Sequence, residues 1–241
     1  MNEANSEAKR TRARRPSVFD QAFLTGVEGV TEVLLIRHAQ QQLDPQGPVG
    51  EFFDPPLSDQ GRLQARLLGE ALSTMALDAI FSSNLQRAAE TAREVARHHR
   101  LEPQVLEGLR EVEVFRDVPR DQRADQFLGK ELLEAVRQRM LNERSWDVYP
   151  YSEPSAEFRK RAINAVEQAI ATHEAERIAI VCHGGVINAY VGHIIGSPYD
   201  MFFRPAHTAV SVVIAGAGQR VLRSLNDVHH LRTAEGEFHS Y

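Results

Sequence analysis

Two apolar runs in this chain each end on a histidine. The first run is VLLIRH at 33–38, and the second is IAIVCHGG at 178–185. Runs of leucine and β-branched residues that stop at a charged residue are typical of buried parallel strands. Open α/β sheets bind ligands at the carboxyl ends of their strands. The pattern therefore predicts that Arg37, His38 and His183 form opposite walls of one anion-binding site.

Composition narrows the class of protein. The chain has 241 residues, 42% of them hydrophobic and 25% charged, which is ordinary for a globular protein. The net charge of −5 gives no support for a nucleic-acid partner, and the single cysteine, Cys182, excludes an intrachain disulfide. No apolar run is long enough to cross a bilayer, and residues 1–17 lack the apolar core of a secretory signal. We therefore expect a cytoplasmic protein without a membrane partner.

Alternating strand and helix patterns predict a three-layer α/β/α sandwich with a mostly parallel sheet and an antiparallel edge strand. Residues 1–17 are expected to form a disordered basic tail and residues 18–241 a single domain, with a small helical cap inserted at about 112–150. The segment 104–114 is expected to be a strand or extended. The other predicted strands are 32–37, 78–82, 177–182, 208–215 and 220–225, and the predicted helices are 59–74, 85–99, 124–143, 155–173 and 185–196.

The residues at the strand ends are of the types that move a phosphoryl group. A neutral imidazole such as that of His38 can attack phosphorus and hold the group covalently, which splits one displacement into two. Arg37 can donate two parallel hydrogen bonds to phosphate oxygens. Arg87 lies in the first turn of a predicted helix, where a cation is unfavourable unless an anion is bound. Taken singly, each of these residues could equally have a packing or surface role.

Ester cleavage also needs a proton donor for the leaving alcohol and a base for the attacking water, and one carboxyl group can do both in turn. Glu111 and Glu113 are both candidates, because they point the same way if their segment is extended. After His183, Gly184 would let the backbone approach a phosphate at the start of a helix.

Taken together, these motifs resemble the histidine phosphatase superfamily, the phosphoglycerate-mutase-like proteins. The likeness covers about 32–231 and rests on motifs in the expected order: RHA at 37–39, PPLSDQG at 55–61, SNLQRAAET at 83–91, LRE at 109–111, VCHGG at 181–185 and LNDVHHL at 225–231. It implies that His38 becomes phosphohistidine and that Glu111 is the proton donor and later the base. It further implies that the phosphoryl group is bound without metal or other cofactor by Arg37, Arg87 and His183.

The loop after His38 departs from the family pattern. Many members carry a phosphate-binding asparagine six residues after the nucleophile, and this chain has Asp44 there, whose charge would repel a phosphate. Gln40, or one of the two glutamines after it, is a candidate replacement. His207, just before a predicted strand, is a further candidate for the pocket wall.

The short segment 112–150 resembles the compact cap of the family's phosphatases, because true mutases carry a longer basic insertion. We therefore predict a phosphomonoester hydrolase, of the histidine acid-phosphatase type, that acts on small phosphorylated metabolites. Its partner would be a small-molecule phosphate ester, and a homodimer is a possible assembly. The alternatives are a cofactor-dependent phosphoglycerate mutase, an enzyme for sugar bisphosphates or nucleotide-like phosphates, and a non-catalytic module that binds phosphate or phosphoproteins.

Overall fold

The computed structural model describes residues 15–44, 46–234 and 236–241. The strands are β1 (Thr31–Arg37), β2 (Ala79–Ser82), β3 (Gln104–Val105), β4 (Arg177–Cys182), β5 (Val210–Gly216), β6 (Gln219–Asp227) and the short pair β7 (Arg232–Thr233) and β8 (Gly236–Glu237). The helices are α1 (Val18–Ala22), α2 (Gly50–Phe53), α3 (Asp59–Leu72), α4 (Gln86–Ala96), α5 (Ala124–Leu128), α6 (Lys130–Glu143), α7 (Ser155–Ala171) and α8 (Gly184–Ile195).

The main sheet has six strands in the order β3-β2-β4-β1-β5-β6. The first four of these are parallel to one another, whereas β5 runs antiparallel to β1 and β6 runs antiparallel to β5. The predicted antiparallel strand is therefore β5, which lies one place inside the edge. A tight turn at 217–218 returns the chain as β6, which forms the edge itself.

Successive side chains of β1 pack on opposite faces of the sheet. Val33 and Leu35 belong to the core formed with α7 and α8, whereas Leu34 and Ile36 belong to the core formed with α3 and α4. All four side chains are almost wholly buried. Each contributes roughly 1.5–3 kcal/mol by leaving water. Burial on both faces is the reason that the strand is continuously apolar and not alternating, and it confirms the three-layer architecture.

Two segments differ from their predicted form. In 104–114 only Gln104–Val105 is a strand, and a 3-10 turn at Glu107–Leu109 follows. This turn packs on α7 so closely that a Cβ at Gly108 would come within 2.8 Å of the Ala165 Cβ. In the cap segment, 112–150, the predicted helix 124–143 is interrupted at Gly129, whose φ of +81° ends α5 and begins α6.

Residues 1–14 of the predicted basic tail lie outside the described residues. Of its last residues, Ser17 is the N-cap of α1, where its hydroxyl accepts a hydrogen bond from the backbone N–H of Asp20. Across the described residues, none of the helices combines the length and the apolar composition that a bilayer crossing requires.

Candidate active site

The register of β1 and β4 determines where the two histidines lie. The strands pair Arg37 with Cys182, so His38 and His183 each follow a paired residue by one position. The ladder continues there, because the backbone N–H of His38 donates to the carbonyl oxygen of Cys182 at 2.9 Å. The two imidazole centroids are 5.0 Å apart. The histidines therefore lie side by side at adjacent strand ends, and the prediction that they form opposite walls is wrong because their strands are direct neighbours.

His38 is held as a neutral imidazole whose Nε2 carries no proton. Its Nδ1 lies 2.7 Å from the carbonyl oxygen of Ala39, which can only accept, so Nδ1 carries the hydrogen. Its Nε2 accepts from Nε of Arg87 at 3.3 Å. Burial, followed by the charges of Arg87, His183 and Arg37, lowers the pKa of His38 well below the ordinary value for histidine. Nε2 is therefore available as a nucleophile at neutral pH.

Two arginines place positive charge beside this nitrogen. Arg37 donates from Nη1 to the carbonyl oxygen of Pro205 at 2.5 Å, and its buried Nε has no hydrogen-bond partner. Arg87 is buried at the start of α4 and donates from Nη1 to the carbonyl oxygen of Phe53 at 3.0 Å. Burial lowers the pKa of Arg37 to about 10, so it stays charged at neutral pH. The free Nε is a donor suited to a phosphoryl oxygen.

His183 is oriented by a short chain of hydrogen bonds. The backbone N–H of Leu85 donates to Oγ of Ser83 at 3.1 Å, so the Ser83 hydroxyl can donate to Nε2 of His183 at 2.9 Å. Nδ1 of His183 is buried and has no hydrogen-bond partner among the described residues. Burial, with the charges of Arg87 and Arg37, lowers the pKa of His183 well below the ordinary value. A bound anion would favour the protonated form of His183, in which both ring nitrogens are donors.

The Glu111 carboxylate is fixed by backbone donors. Oε1 accepts from the N–H of Val112 and Oε2 accepts from the N–H of Gly185, both at 3.0 Å. A Cβ at Gly185 would overlap Oε1 of Glu111, whereas a Cβ at Gly184 would meet nothing nearer than 3.9 Å. The glycine that this turn requires is therefore Gly185, and it makes room for the carboxylate. Gly184, the predicted phosphate-binding residue, begins α8 beside Arg37.

The structure separates the two candidate carboxylates. Glu113 also lines the cavity, but its carboxylate is paired with Arg110 at 2.6 Å. Glu111 has no such ion pair among the described residues, and its charge acts on both Arg37 and Arg87.

In the loop after His38, the structure shows which glutamine faces the cavity. Asp44 is exposed and accepts from the N–H of Gln46, so it does not reach the cavity. Gln40 is also turned away, with its Oε1 accepting from the Ser58 hydroxyl at 2.8 Å. Gln41 lines the cavity instead, and its buried Oε1 has no partner. The pairing of Gln41 with Leu57 across the loop helps to set this register, which one sequence could not supply.

His207, the further candidate for the pocket wall, has its ring centroid 5.7 Å from that of His38 but is not among the described residues that line the cavity. Its Nδ1 contacts Oγ of Ser240 at 2.9 Å, and its buried Nε2 has no partner. Burial, with the charge of Arg37, lowers the pKa of His207 to about 3.

Three supporting residues were not predicted to act at the site. Arg161 on α7 donates to the carbonyl oxygens of Gly108, Arg110 and Glu111 at 2.7–3.0 Å and forms an ion pair with Glu153. Thr91 accepts from the N–H of Ala39, and Gln64 accepts from the N–H of Gln40, both at 3.0 Å. Thr91 and Gln64 lie within or next to the quoted motifs, whereas an arginine on a helix gives no local signal of such a role.

A cavity of about 310 Å³ opens over His38, Arg37, Arg87 and Glu111, and otherwise its wall is largely apolar. Among the residues that the structure describes, no group of three or more His, Cys, Asp or Glu side chains is arranged to hold a metal ion. The arrangement can bind an anion, attack it with a neutral nitrogen, and supply a carboxyl group beside it.

Comparison with known proteins gives a consistent picture. The family model described as the histidine phosphatase superfamily (branch 1) matches residues 33–228. A probable phosphatase of Schizosaccharomyces pombe is 27% identical, over 85% of this chain and 97% of its own. Phosphoserine phosphatase 1 of Hydrogenobacter thermophilus is 27% identical, over 87% of this chain and 97% of its own. The solved structure of Bacillus stearothermophilus YhfR shares the fold, with a TM-score of 0.71. It is 24% identical, and the match covers 83% of this chain and 98% of that one.

Proposed function

This chain belongs to the histidine phosphatase superfamily (branch 1), and from that premise we propose that it hydrolyses phosphate monoesters of small metabolites, without a metal ion, through a phosphohistidine at His38. The observation that carries the proposal is the state of His38. Its Nδ1–H is held by the Ala39 carbonyl oxygen, and its unprotonated Nε2 lies at the cavity, where it accepts from Arg87. The proposed partner is a small-molecule phosphate ester, and a homodimer stays a prediction.

In the first step the phosphoryl dianion binds between Arg37, Arg87 and His183. Nε2 of His38 attacks phosphorus, and the bond from phosphorus to the ester oxygen breaks. Glu111 in its acid form gives its proton to the departing alkoxide. The fixed donors act where negative charge develops.

In the second step a water molecule attacks the phosphohistidine. The Glu111 carboxylate takes a proton from that water as the new oxygen–phosphorus bond forms. The nitrogen–phosphorus bond breaks, inorganic phosphate is released, and His38 returns to its neutral form with Nδ1–H still bound to Ala39. Glu111 regains the proton that it needs for the next cycle.

The cap favours hydrolysis over mutase chemistry. A mutase must bind its phosphorylated intermediate a second time in another orientation, which calls for further free cations above the site. Several basic residues of the cap form ion pairs with acidic neighbours instead: Arg116 with Asp117, Arg123 with Asp125, Arg137 with Glu134, and Arg139 with Glu143. Phosphoglycerate interconversion much faster than phosphate release would favour the mutase.

The nucleophile is tested by rapid quenching with a substrate labelled in its phosphoryl group. We expect label on His38 that is stable to base and labile to acid, in the presence of EDTA as in its absence. Protein-bound label that persists in His38→Ala would refute the assignment. Bound inorganic phosphate without turnover of any ester would point to the non-catalytic binding module.

The proton donor is tested by comparing leaving groups. Glu111→Gln is expected to slow hydrolysis of an alkyl phosphate roughly 10²–10⁴-fold and that of 4-nitrophenyl phosphate far less, because nitrophenolate scarcely needs a proton. Glu113→Gln is the matched control. If Glu113→Gln shows the dependence on leaving group and Glu111→Gln does not, the roles are reversed.

A further inference from the structure

The wall of the cavity beyond the phosphate-binding groups is apolar and rich in aromatic side chains. It is formed by α2, the residue before it, and the cap segment, which contribute Val49, Phe52, Phe53, Val114, Phe115 and Trp146. Their position beside His38 and Glu111 makes this wall the surface that the leaving alcohol of a bound ester would contact.

The charged residues of the cavity leave little to recognise an anionic alcohol. Apart from Arg37 and Arg87, which face the phosphoryl group, the only cation among the described lining residues is Arg110. Arg110 is already paired with Glu113 at 2.6 Å. A carboxylate or a second phosphate in the cavity would have to break that ion pair or remain without a partner, and both are unfavourable.

One further arginine lies nearby, outside the cavity lining. The guanidinium of Arg120 stacks on the ring of Phe53 at 3.3 Å from its centroid. A cation in this position interacts with the face of the ring and covers an aromatic residue of the wall. Arg120 thus covers one face of Phe53 with its guanidinium and is not itself part of the cavity lining.

We propose that the cavity binds phosphate esters whose alcohol carries an uncharged aromatic group of about the size of a phenyl ring. The inference rests on the proposed function, since it names the substrate class of the same site. The group would lie against Phe52, Phe53 and Phe115 and displace water from them, while the phosphoryl group stays between the arginines. Esters with a charged alcohol, such as O-phosphoserine or a phosphoglycerate, would gain nothing from this wall.

The first experiment measures binding with non-hydrolysable phosphonates, so its result does not depend on turnover. Dissociation constants are measured by calorimetry for 2-phenylethylphosphonate, ethylphosphonate and 2-amino-4-phosphonobutanoate, which resembles O-phosphoserine. We expect the phenylethyl compound to bind about tenfold more tightly than either of the others. Equal affinities, or a preference for the amino acid, would overturn the proposal.

The second experiment measures hydrolysis of esters whose alcohols have similar chemistry, so that leaving-group reactivity does not dominate. We expect kcat/KM to be about tenfold higher for 2-phenylethyl phosphate than for ethyl phosphate or O-phosphoserine. Hydrolysis without this preference would refute the aromatic subsite and leave the hydrolase in place. A binding preference without any hydrolysis would support the subsite and refute the proposed function.

A pair of variants ties the preference to the wall. Phe52 is 38% exposed and lines the cavity, whereas Phe127 is 42% exposed on α5 and does not. Phe52→Ala should remove most of the preference for the phenylethyl compounds and change little for the ethyl ones. Phe127→Ala should retain the preference. Equal effects of the two substitutions would overturn the proposal, because they would show a general effect of aromatic truncation.

Discussion

The buried histidines of the site should make the protein lose stability as the pH falls, and His207 allows the effect to be worked out. Its pKa is lowered to about 3 from the ordinary histidine value of 6.5, first by burial and then by the charge of Arg37. Below about pH 6.5 the unfolded chain binds a proton at this residue and the folded protein does not, so acid favours unfolding. The loss begins near pH 6.5 and grows until the pH reaches the folded pKa.

The size of the loss follows from the pH interval. A pH of 5 is about 1.5 units below the pKa of the unfolded histidine. Each unit corresponds to about 1.4 kcal/mol, so His207 alone lowers the free energy of unfolding by about 2 kcal/mol at this pH. His38 and His183 contribute with the same sign, because burial lowers the pKa of each. Marginal stabilities are roughly 5–15 kcal/mol, so these losses form a large fraction of the total.

The assay is urea denaturation at several pH values between about 7.5 and 5, in buffers without phosphate. The free energy of unfolding should fall with pH in the wild-type protein, and His207→Asn should reduce that fall by about 2 kcal/mol. His98→Asn, which alters an exposed histidine, is the control and should keep the wild-type dependence. A fall in His207→Asn as steep as in the wild type would refute the reasoning, since His207 would then be protonated equally in both states.

Three further outcomes are expected. Gly185→Ala should slow alkyl ester hydrolysis roughly 100-fold and 4-nitrophenyl phosphate hydrolysis far less, because the new Cβ would displace the Glu111 carboxylate. Arg161→Met should show the same dependence of kcat on the leaving group, because the segment that carries Glu111 loses three hydrogen bonds. Calorimetry should also show a lower melting temperature for this variant. Inorganic phosphate at about 100 times its Kd should raise the free energy of unfolding by about 2.7 kcal/mol. Arg37→Met, which removes the free Nε, should abolish most of that gain in urea denaturation.

The sheet was predictable because its central strands are buried on both faces. The runs at 33–36 and 178–181 have no polar residue, and such runs exclude a half-exposed strand or an amphipathic helix. The sequence could not show that β4 lies between β1 and β2 and pairs with both. That order depends on contacts between distant parts of the chain, so the spacing of His38 and His183 required the structure.

The candidate site was predictable where residues end a strand or begin a helix, and less so where loops carry them. Glu111 and Glu113 are alike in sequence, and they differ only because Gly185 leaves space for one carboxylate while Arg110 pairs with the other. The glutamine that lines the cavity likewise depends on a loop pairing between Gln41 and Leu57 that has no regular pattern.

The site contains polar atoms that the fold buries without partners: Nε of Arg37, Oε1 of Gln41, Nδ1 of His183 and Nε2 of His207. A buried polar group that lacks a hydrogen bond costs roughly 1–3 kcal/mol, so a water molecule or an anion that reaches these atoms would be stabilised there. The Arg37 nitrogen is a donor, and each of the two histidine nitrogens is a donor when its ring is protonated. Contacts with Ser83, Pro205 and Ser240 already hold the three side chains in place. The histidines that weaken the fold in acid thus lie beside Arg37, whose charge helps to lower the pKa of each and prepares the site for an anion.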